Sequence, residues 1–421
     1  MIKEDLPKDL DSWLDYVQQQ HWQSVDLGLS RMEEMVARLG LQRPARHVIT
    51  VAGTNGKGTT CHALEGLLLA AGHSVGTTLS PHIDRFNERI RIAGEELTDD
   101  AICNAFAEVE AVRRGMNLTY FEYSTLAALW SFKEADLDYA ILEIGLGGRL
   151  DAFNVIDAGT AIITSIGYDH QEFLGETLAE IGREKAGIFR SGQSVVLGPN
   201  LPESVYVEAH ALNLDPINAE RDYRVVTDGP KDWSISGHGF EVDKISLGAC
   251  APSNIALAYV ATITCGAIDD VSGPDILKRV APLLKIRGRL QKEDWQQRTI
   301  YSDVAHNPAG LEFLCNELDL REIRPNLIVC GMLTGKDHKG VFDMVKSKIE
   351  APWLLIDTYG ERAQQAEHLR QSMGCTDAQC VTSQTLSAAL LASSEPGDIV
   401  LGFGSFSAVE TLGALVQETR G

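Results

Sequence analysis

The sequence has no apolar run approaching the ~20 residues that a membrane-spanning helix needs, so no membrane span is expected. Its first residues, Met1 to Pro7, carry no basic stretch followed by an apolar one, and a secretory signal is not expected either. Cations are scarce. Only 37 Lys and Arg face 59 Asp and Glu, a formal charge of -22, which disfavours nucleic acid or anionic lipid as a partner. Any anionic ligand must therefore be held by local groups. The 8 cysteines are scattered, and several, such as Cys103 and Cys330, sit in apolar surroundings that suit reduced core thiols, so a cytoplasmic compartment is expected. Cys375 and Cys380 are the closest pair, with no second pair nearby to complete a zinc site. No fixed-period repeat and no low-complexity tract occurs, which excludes solenoids and disordered scaffolds.

What is present is an ordinary globular composition, 44% hydrophobic and 23% charged, in a chain of 421 residues. That exceeds the ~250–300 residues at which a single core stops growing, so two domains are expected. From His47 onward, short β-branched runs alternate with longer amphipathic stretches, the pattern of an α/β fold with a parallel sheet wrapped by helices. Strands are expected at residues 47–52, 75–79, 139–144, 160–166 and 194–197, with helices at 59–71 and 125–134. Residues 201–247 read as a short antiparallel excursion, followed by a helix at 254–265. Beyond the basic linker Lys285 to Leu290, strands are expected at 299–304, 327–330, 353–356 and 399–401. The domains are therefore set at 1–284 and 285–421.

The run Val48-Ile-Thr-Val-Ala-Gly53-Thr54-Asn55-Gly56-Lys57-Gly58-Thr59 passes from an apolar strand through a glycine-rich turn into a helix. This is the order of a P-loop: glycines let backbone N–H groups approach phosphate oxygens, the helix start adds a favourable dipole, and Lys57 adds a cation. The spacing is a variant of the standard motif, since Gly58 stands where the hydroxyl is expected and Thr59 comes one place later. Ligands of parallel sheets lie beyond the carboxyl ends of the strands. Three strands stop at metal-competent groups: Ser80-Pro81-His82, Glu143, and Asp169-His170. Glu143 on an apolar strand must be paired or bound to a metal, so magnesium and a salt bridge are both open. His170 suits either a ligand or a hydrogen-bonded histidine. Lys185 lies in a charged helical turn that residue chemistry alone reads as a solvated face.

In one order along the chain stand Gly53 to Thr60, Ser80-Pro-His82, Leu142-Glu-Ile-Gly-Leu-Gly-Gly-Arg-Leu-Asp151, Asp169-His170, Gly182-Arg-Glu-Lys-Ala-Gly187, Gly288-Arg289 and Asp303-Val-Ala-His-Asn-Pro308. Together they resemble the folylpolyglutamate synthase/dihydrofolate synthase branch of the Mur ligase superfamily. The resemblance implies a P-loop ATPase-type domain with a parallel-rich sheet and a smaller C-terminal Rossmann-like α/β domain. It implies that residues 53–59 hold ATP, with Asn254, Arg289 and Asp303 also contacting the nucleotide. Ser80 and Glu143 would bind one of two magnesium ions, and His170 would help bind the second. Lys185 would carry a carbamate that makes it a metal ligand, and His306 would lie near the incoming L-glutamate.

For a pterin substrate the matching segments are Val25-Asp26-Leu27, Thr119-Tyr120-Phe121-Glu122 and Leu150-Asp151-Ala152. Aromatic rings can stack on the flat pterin and acids can accept from its N–H groups, although Tyr120 and Phe121 also suit core packing. Phe153 stands where relatives often have threonine, and the segment Gly402-Phe-Gly-Ser-Phe-Ser407 varies, which leaves substrate-chain preference open. The activity implied is ATP-dependent addition of L-glutamate to dihydropteroate or reduced folates through an acyl phosphate, by a monomer. The alternatives are a folylpolyglutamate synthase alone, or an ATP-hydrolysing regulatory module.

Overall fold

The computed structural model describes residues 6–21, 26–237, 239–360 and 362–418. Eight strands build the first sheet: β1 (Ala45–Ala52), β2 (Val75–Thr78), β3 (Ile90–Ile92), β4 (Glu95–Glu96), β5 (Leu137–Glu143), β6 (Thr160–Ile163), β7 (Ser194–Leu197) and β8 (Ile217–Asn218). Their order is β4-β3-β2-β5-β1-β6-β7-β8. All neighbours from β2 to β8 run parallel, while β3 and β4 add an antiparallel edge. Residues 48–52 of β1 are buried without alternation, as a central strand covered on both faces requires.

The chain leaves β1 for one side of the sheet and later returns to its other side at β6, so β1 lies between β5 and β6 at a switch of direction. The loops after β1, β5 and β6 therefore open together, which is where such sheets bind ligands.

Strands β9 (Tyr223–Asp228), β10 (Asp232–Gly237) and β11 (Phe240–Ser246) form a separate three-stranded sheet in the order β11-β10-β9. The excursion expected over residues 201–247 thus contains a sheet, preceded by the helix Glu203–Ala211. A third sheet comprises β12 (Gln291–Trp295), β13 (Arg298–Asp303), β14 (Leu327–Cys330), β15 (Trp353–Ile356), β16 (Gln379–Val381) and β17 (Ile399–Phe403). Its order is β12-β13-β17-β14-β15-β16, with only β12 antiparallel to its neighbour. Successive residues of β14 enter opposite cores: Leu327 and Val329 join one cluster, Ile328 and Cys330 the other. That alternation follows from the two-residue period of a strand covered on both faces.

Contacts divide the chain into two compact units, residues 1–225, 235–242 and 253–280 in one and 226–234, 243–252 and 281–421 in the other. All eight cysteines are free. Among the described residues no helix is long and apolar enough to cross a membrane.

Two expected boundaries move by three residues or more. The helix expected at 125–134 is Tyr120–Glu134, because Thr119 and Glu122 form a reciprocal capping box that starts it a turn earlier. The strand expected at 160–166 ends at Ile163, since Thr164 and Ser165 turn their hydroxyls onto the glycine-rich loop instead of extending the sheet.

Candidate functional site

The loop between β1 and the helix Lys57–Ala70 is built by close approach. Gly53 lies so near β6 that a Cβ there would fall 1.9 Å from the Thr164 hydroxyl. Gly56 caps the helix at φ 88°, in the left-handed region that favours glycine, and the Asn254 side chain packs on it, 2.6 Å from where a Cβ would stand. Hydrogen bonds from across the switch clamp the loop. Thr54 N–H donates to the Ser165 carbonyl at 2.8 Å, Asn55 N–H to the Ser165 hydroxyl at 3.0 Å, and Thr164 Oγ1 donates to the Asn55 carbonyl at 2.7 Å. Thr59 is buried on the first helical turn.

Two lysines converge on this loop from different elements. Lys57 Nζ donates to the carbonyls of Gly53 at 3.1 Å and Thr54 at 3.3 Å. Lys185, at the end of the helix Leu178–Lys185, donates from Nζ to the same Gly53 carbonyl at 3.0 Å while only 5% exposed. Burial first, and then the charge of Lys57, push the Lys185 ammonium down to about 7, against the pull of Asp169 and Asp151. The charged-turn reading of Lys185 is thereby corrected: the side chain is buried, because glycine at 148 lets the loop after β5 sit against the backbone of Glu184 and Lys185.

Glu143, at the end of β5, is 4% exposed and accepts from Ser80 N–H at 2.7 Å, so the strand-end residues Ser80 and Glu143 meet. Its carboxylate also flanks the phosphate loop: a Cβ on Gly58 would lie 3.7 and 3.9 Å from its two oxygens. The displacement of the hydroxyl to Thr59 thus places a bare backbone beside the acid. His170 caps the short helix Gln171–Leu174 at φ 52°, its side chain 31% exposed, and its neighbour Asp169 is one of the charges felt by Lys185. Among the described residues no three His, Cys, Asp or Glu side chains gather into a preformed cage.

Asp151 closes the loop after β5. Its carboxylate accepts from the N–H groups of Gly145, Leu146 and Phe153, each at 3.0 Å. Burial pushes the Asp151 carboxyl up to about 6 even though those donors and Lys57 favour the anion. Ala152 is buried beside it and Leu150 is 41% exposed. Phe121 packs against Gly145 and meets Phe153 edge-on at 5.8 Å. Tyr120 meets Phe86 edge-on at 6.0 Å, and the Arg89 guanidinium lies 5.6 Å from the Tyr120 ring. Arg89 donates to His82 Nδ1 at 2.7 Å, and burial together with that cation pushes His82 down to about 4, so its neutral ring accepts at Nδ1.

Asp26 and Glu122 are brought together by Arg31, a residue that motif reading passes over because its partner Glu122 is 91 positions away. Leu27 is half-buried just before the helix Ser30–Leu39, and Val25 lies outside the described residues.

Arg289, Asp303 and His306 form their own group in the second unit. Asp303, at the end of β13, accepts from Leu290 N–H and Ala305 N–H, both at 2.9 Å, with the Arg289 guanidinium 3.9 Å away. Burial raises its carboxyl against the pull of Arg289. His306 Nδ1 donates to the Val304 carbonyl at 2.9 Å.

Two family models match the chain: the Mur ligase middle domain over residues 51–198 and the Mur ligase, glutamate ligase domain over residues 288–406. The dihydrofolate synthase/folylpolyglutamate synthase of Escherichia coli strain K12 is 40% identical over 415 residues, 98% of this chain and 96% of the relative. The structure of E. coli FolC in complex with DHPP and ADP superposes with a TM-score of 0.92 at 37% identity, covering 98% of this chain and 99% of that one. The Yersinia pestis bifunctional folylpolyglutamate synthase/dihydrofolate synthase complexed with AMPPNP and Mn ion gives 0.90 at 35% identity, covering 97% and 98%.

Proposed function

The chain belongs to the dihydrofolate synthase/folylpolyglutamate synthase family of Mur ligases, and from that membership we propose how its residues carry out ATP-dependent ligation of L-glutamate to a pterin carboxylic acid. The observation that carries the reading is the convergence of Lys57 and Lys185 on the Gly53 carbonyl, with Glu143 beside Gly58.

A carboxylate does not acylate an amine in water, because its oxygen leaves poorly. Phosphorylation makes it leave. The substrate carboxylate attacks the γ-phosphorus of ATP, releasing ADP and forming an acyl phosphate. The glutamate amine then attacks the acyl carbon, loses a proton, and inorganic phosphate departs. Bringing an anion to a polyanion requires cations that neutralise and align it. Residues 53–59 supply backbone N–H groups and Lys57 the point charge, with Asn254 bracing Gly56. Arg289 and Asp303 are assigned to the nucleotide and His306 to the incoming glutamate.

The donor set fits magnesium. A Ser80 hydroxyl and the Glu143 carboxylate are hard oxygen donors, and magnesium is commonly held by one or two carboxylates plus substrate phosphates, with no all-protein cage. The ion supplies charge neutralisation at the transferring phosphoryl group. His170 serves a second ion. Lys185 carries a carbamate, formed as its neutral amine bonds to the carbon of carbon dioxide and releases a proton. A buried amine held at about 7 offers that neutral form near physiological pH, and the product is an anion able to face a metal. The pterin lies along Asp26, Leu27, Tyr120 and Phe121, with Asp151 holding the loop that Phe121 packs against. A monomer carries out the cycle.

The test is incubation of the purified chain with ATP, magnesium, L-glutamate and either dihydropteroate or tetrahydrofolate. The expected result is a pterin product heavier by one glutamate residue, with equimolar ADP and phosphate, from both acceptors. Glutamylation of tetrahydrofolate alone would restrict the enzyme to tail extension. ATP hydrolysis without any glutamylated product would overturn the assignment.

A further inference from the structure

Arg31 lies in the first turn of the helix Ser30–Leu39 and divides its guanidinium between two acids. Nε lies 3.0 and 3.2 Å from the two oxygens of Glu122, Nη1 donates to Asp26 Oδ2 at 2.7 Å, and Nη2 donates to the Asp26 carbonyl at 3.0 Å. The two carboxylates are not equivalent. Glu122 is 4% exposed and also accepts from Thr119 N–H at 2.8 Å, so its oxygens are occupied by donors of the chain itself. Asp26 is 33% exposed, with His21 Nε2 3.3 Å from the same Oδ2 that Arg31 holds.

Two carboxylates side by side would repel, and a buried Glu122 without a cation would be costly. The rigid fork of an arginine satisfies both at once, which a point-charge lysine cannot do. The fork also ties the loop before the helix Ser30–Leu39 to the start of the helix Tyr120–Glu134, the two segments that carry the pterin-facing residues.

We propose that Arg31 is a positioning residue for pterin recognition, anchored on Glu122 and holding the Asp26 carboxylate at the edge where adjacent ring N–H and amino donors are read. Of the two acids in these segments, Asp26 meets the ligand and Glu122 acts through Arg31. The inference rests on the reading that residues 26–27 and 120–121 hold the pterin.

The experiment is steady-state kinetics of Arg31→Gln, Arg31→Lys, Glu122→Gln and Asp26→Asn, with dihydropteroate, ATP and glutamate varied in turn. Arg31→Gln is expected to raise KM for dihydropteroate by about tenfold or more while KM for ATP and for glutamate stays at the wild-type value. Arg31→Lys, which keeps the charge and loses the fork, falls between Arg31→Gln and wild type, and Glu122→Gln shows the same split with smaller size. If Arg31→Gln fails to fold, Arg31→Lys reports the same split. A fall in kcat and thermal midpoint with all three KM values unmoved would make Arg31 merely structural and overturn the proposal. Asp26→Asn separates the two failures. If it raises KM for dihydropteroate while Arg31→Gln and Arg31→Lys do not, the positioning role fails and the pterin reading stands. If Asp26→Asn leaves that KM unchanged, the pterin reading itself fails.

Discussion

Each of the two α/β units locks a buried aspartate into the loop that follows a strand, and each compensates it differently. In the first unit Asp151 is held by three backbone N–H groups, with Lys57 and Lys185 among the charges around it. In the second, Asp303 has two N–H donors and an arginine 3.9 Å away. Backbone dipoles fix a loop without a net charge of their own, so Lys57 and Lys185 direct their amines to the carbonyls of the glycine-rich loop and not to the aspartate. In the second unit the arginine serves the aspartate as well. The same residue type thus acts as a loop clamp in one place and as half of an ion pair in the other.

Removing the Lys185 side chain from the first unit should have the largest effect. Lys185→Ala is expected to lower kcat on the order of a thousandfold, with partial recovery on adding a short carboxylic acid that can replace a carbamate. Full activity without the acid would remove Lys185 from the metal site and leave it as a strut of Gly53.

The next effect is on stability against pH. The folded Asp151 carboxyl holds its proton to about 6, whereas the ordinary value is 3.8. The folded state is therefore favoured by this group below about pH 4, and that contribution is lost as pH rises through about 6, up to roughly 3 kcal/mol in all. Urea unfolding of the ligand-free protein should show this decline, and Asp151→Asn should abolish it. Asp303→Asn should change the slope in the same direction, since burial raises that carboxyl too. An unchanged slope in Asp151→Asn would mean that the loop relaxes to solvate the acid.

The smallest effect is expected for Arg289→Ala. It should lower kcat/KM for ATP by about tenfold with the fold intact, because the arginine is partly exposed and its pair with Asp303 is long. Wild-type kinetics in that variant would make the second-unit pair purely structural.

These contrasts also show what the sequence reveals. The phosphate loop is legible because strand, glycines, lysine and helix are contiguous, so local chemistry is enough. Glu143 is legible because an acid on an apolar strand demands a partner. Lys185 is not legible from its own neighbourhood, since its burial comes from the loop at Gly148 folding over its helix, and only the family resemblance singled it out. Arg31 and Arg89 stand in none of the motifs, because the groups that define them, Glu122 for one and His82 and Tyr120 for the other, are assembled by the fold. The start of the helix at Tyr120 is written in the Thr119 to Glu122 capping signature, which an expected start at residue 125 leaves out. The α/β alternation identified the sheets, whereas the order of their strands depends on long-range pairing that periodicity does not encode.

Ligation by this route requires activation of the acceptor carboxylate by phosphorylation. Dihydropteroate labelled with oxygen-18 in its carboxylate, turned over with ATP and glutamate, tests this through the mass of the phosphate released. Transfer through an acyl phosphate leaves one labelled oxygen in each phosphate formed. Unlabelled phosphate accompanying labelled product would show that ATP is hydrolysed without an acyl phosphate and would contradict it.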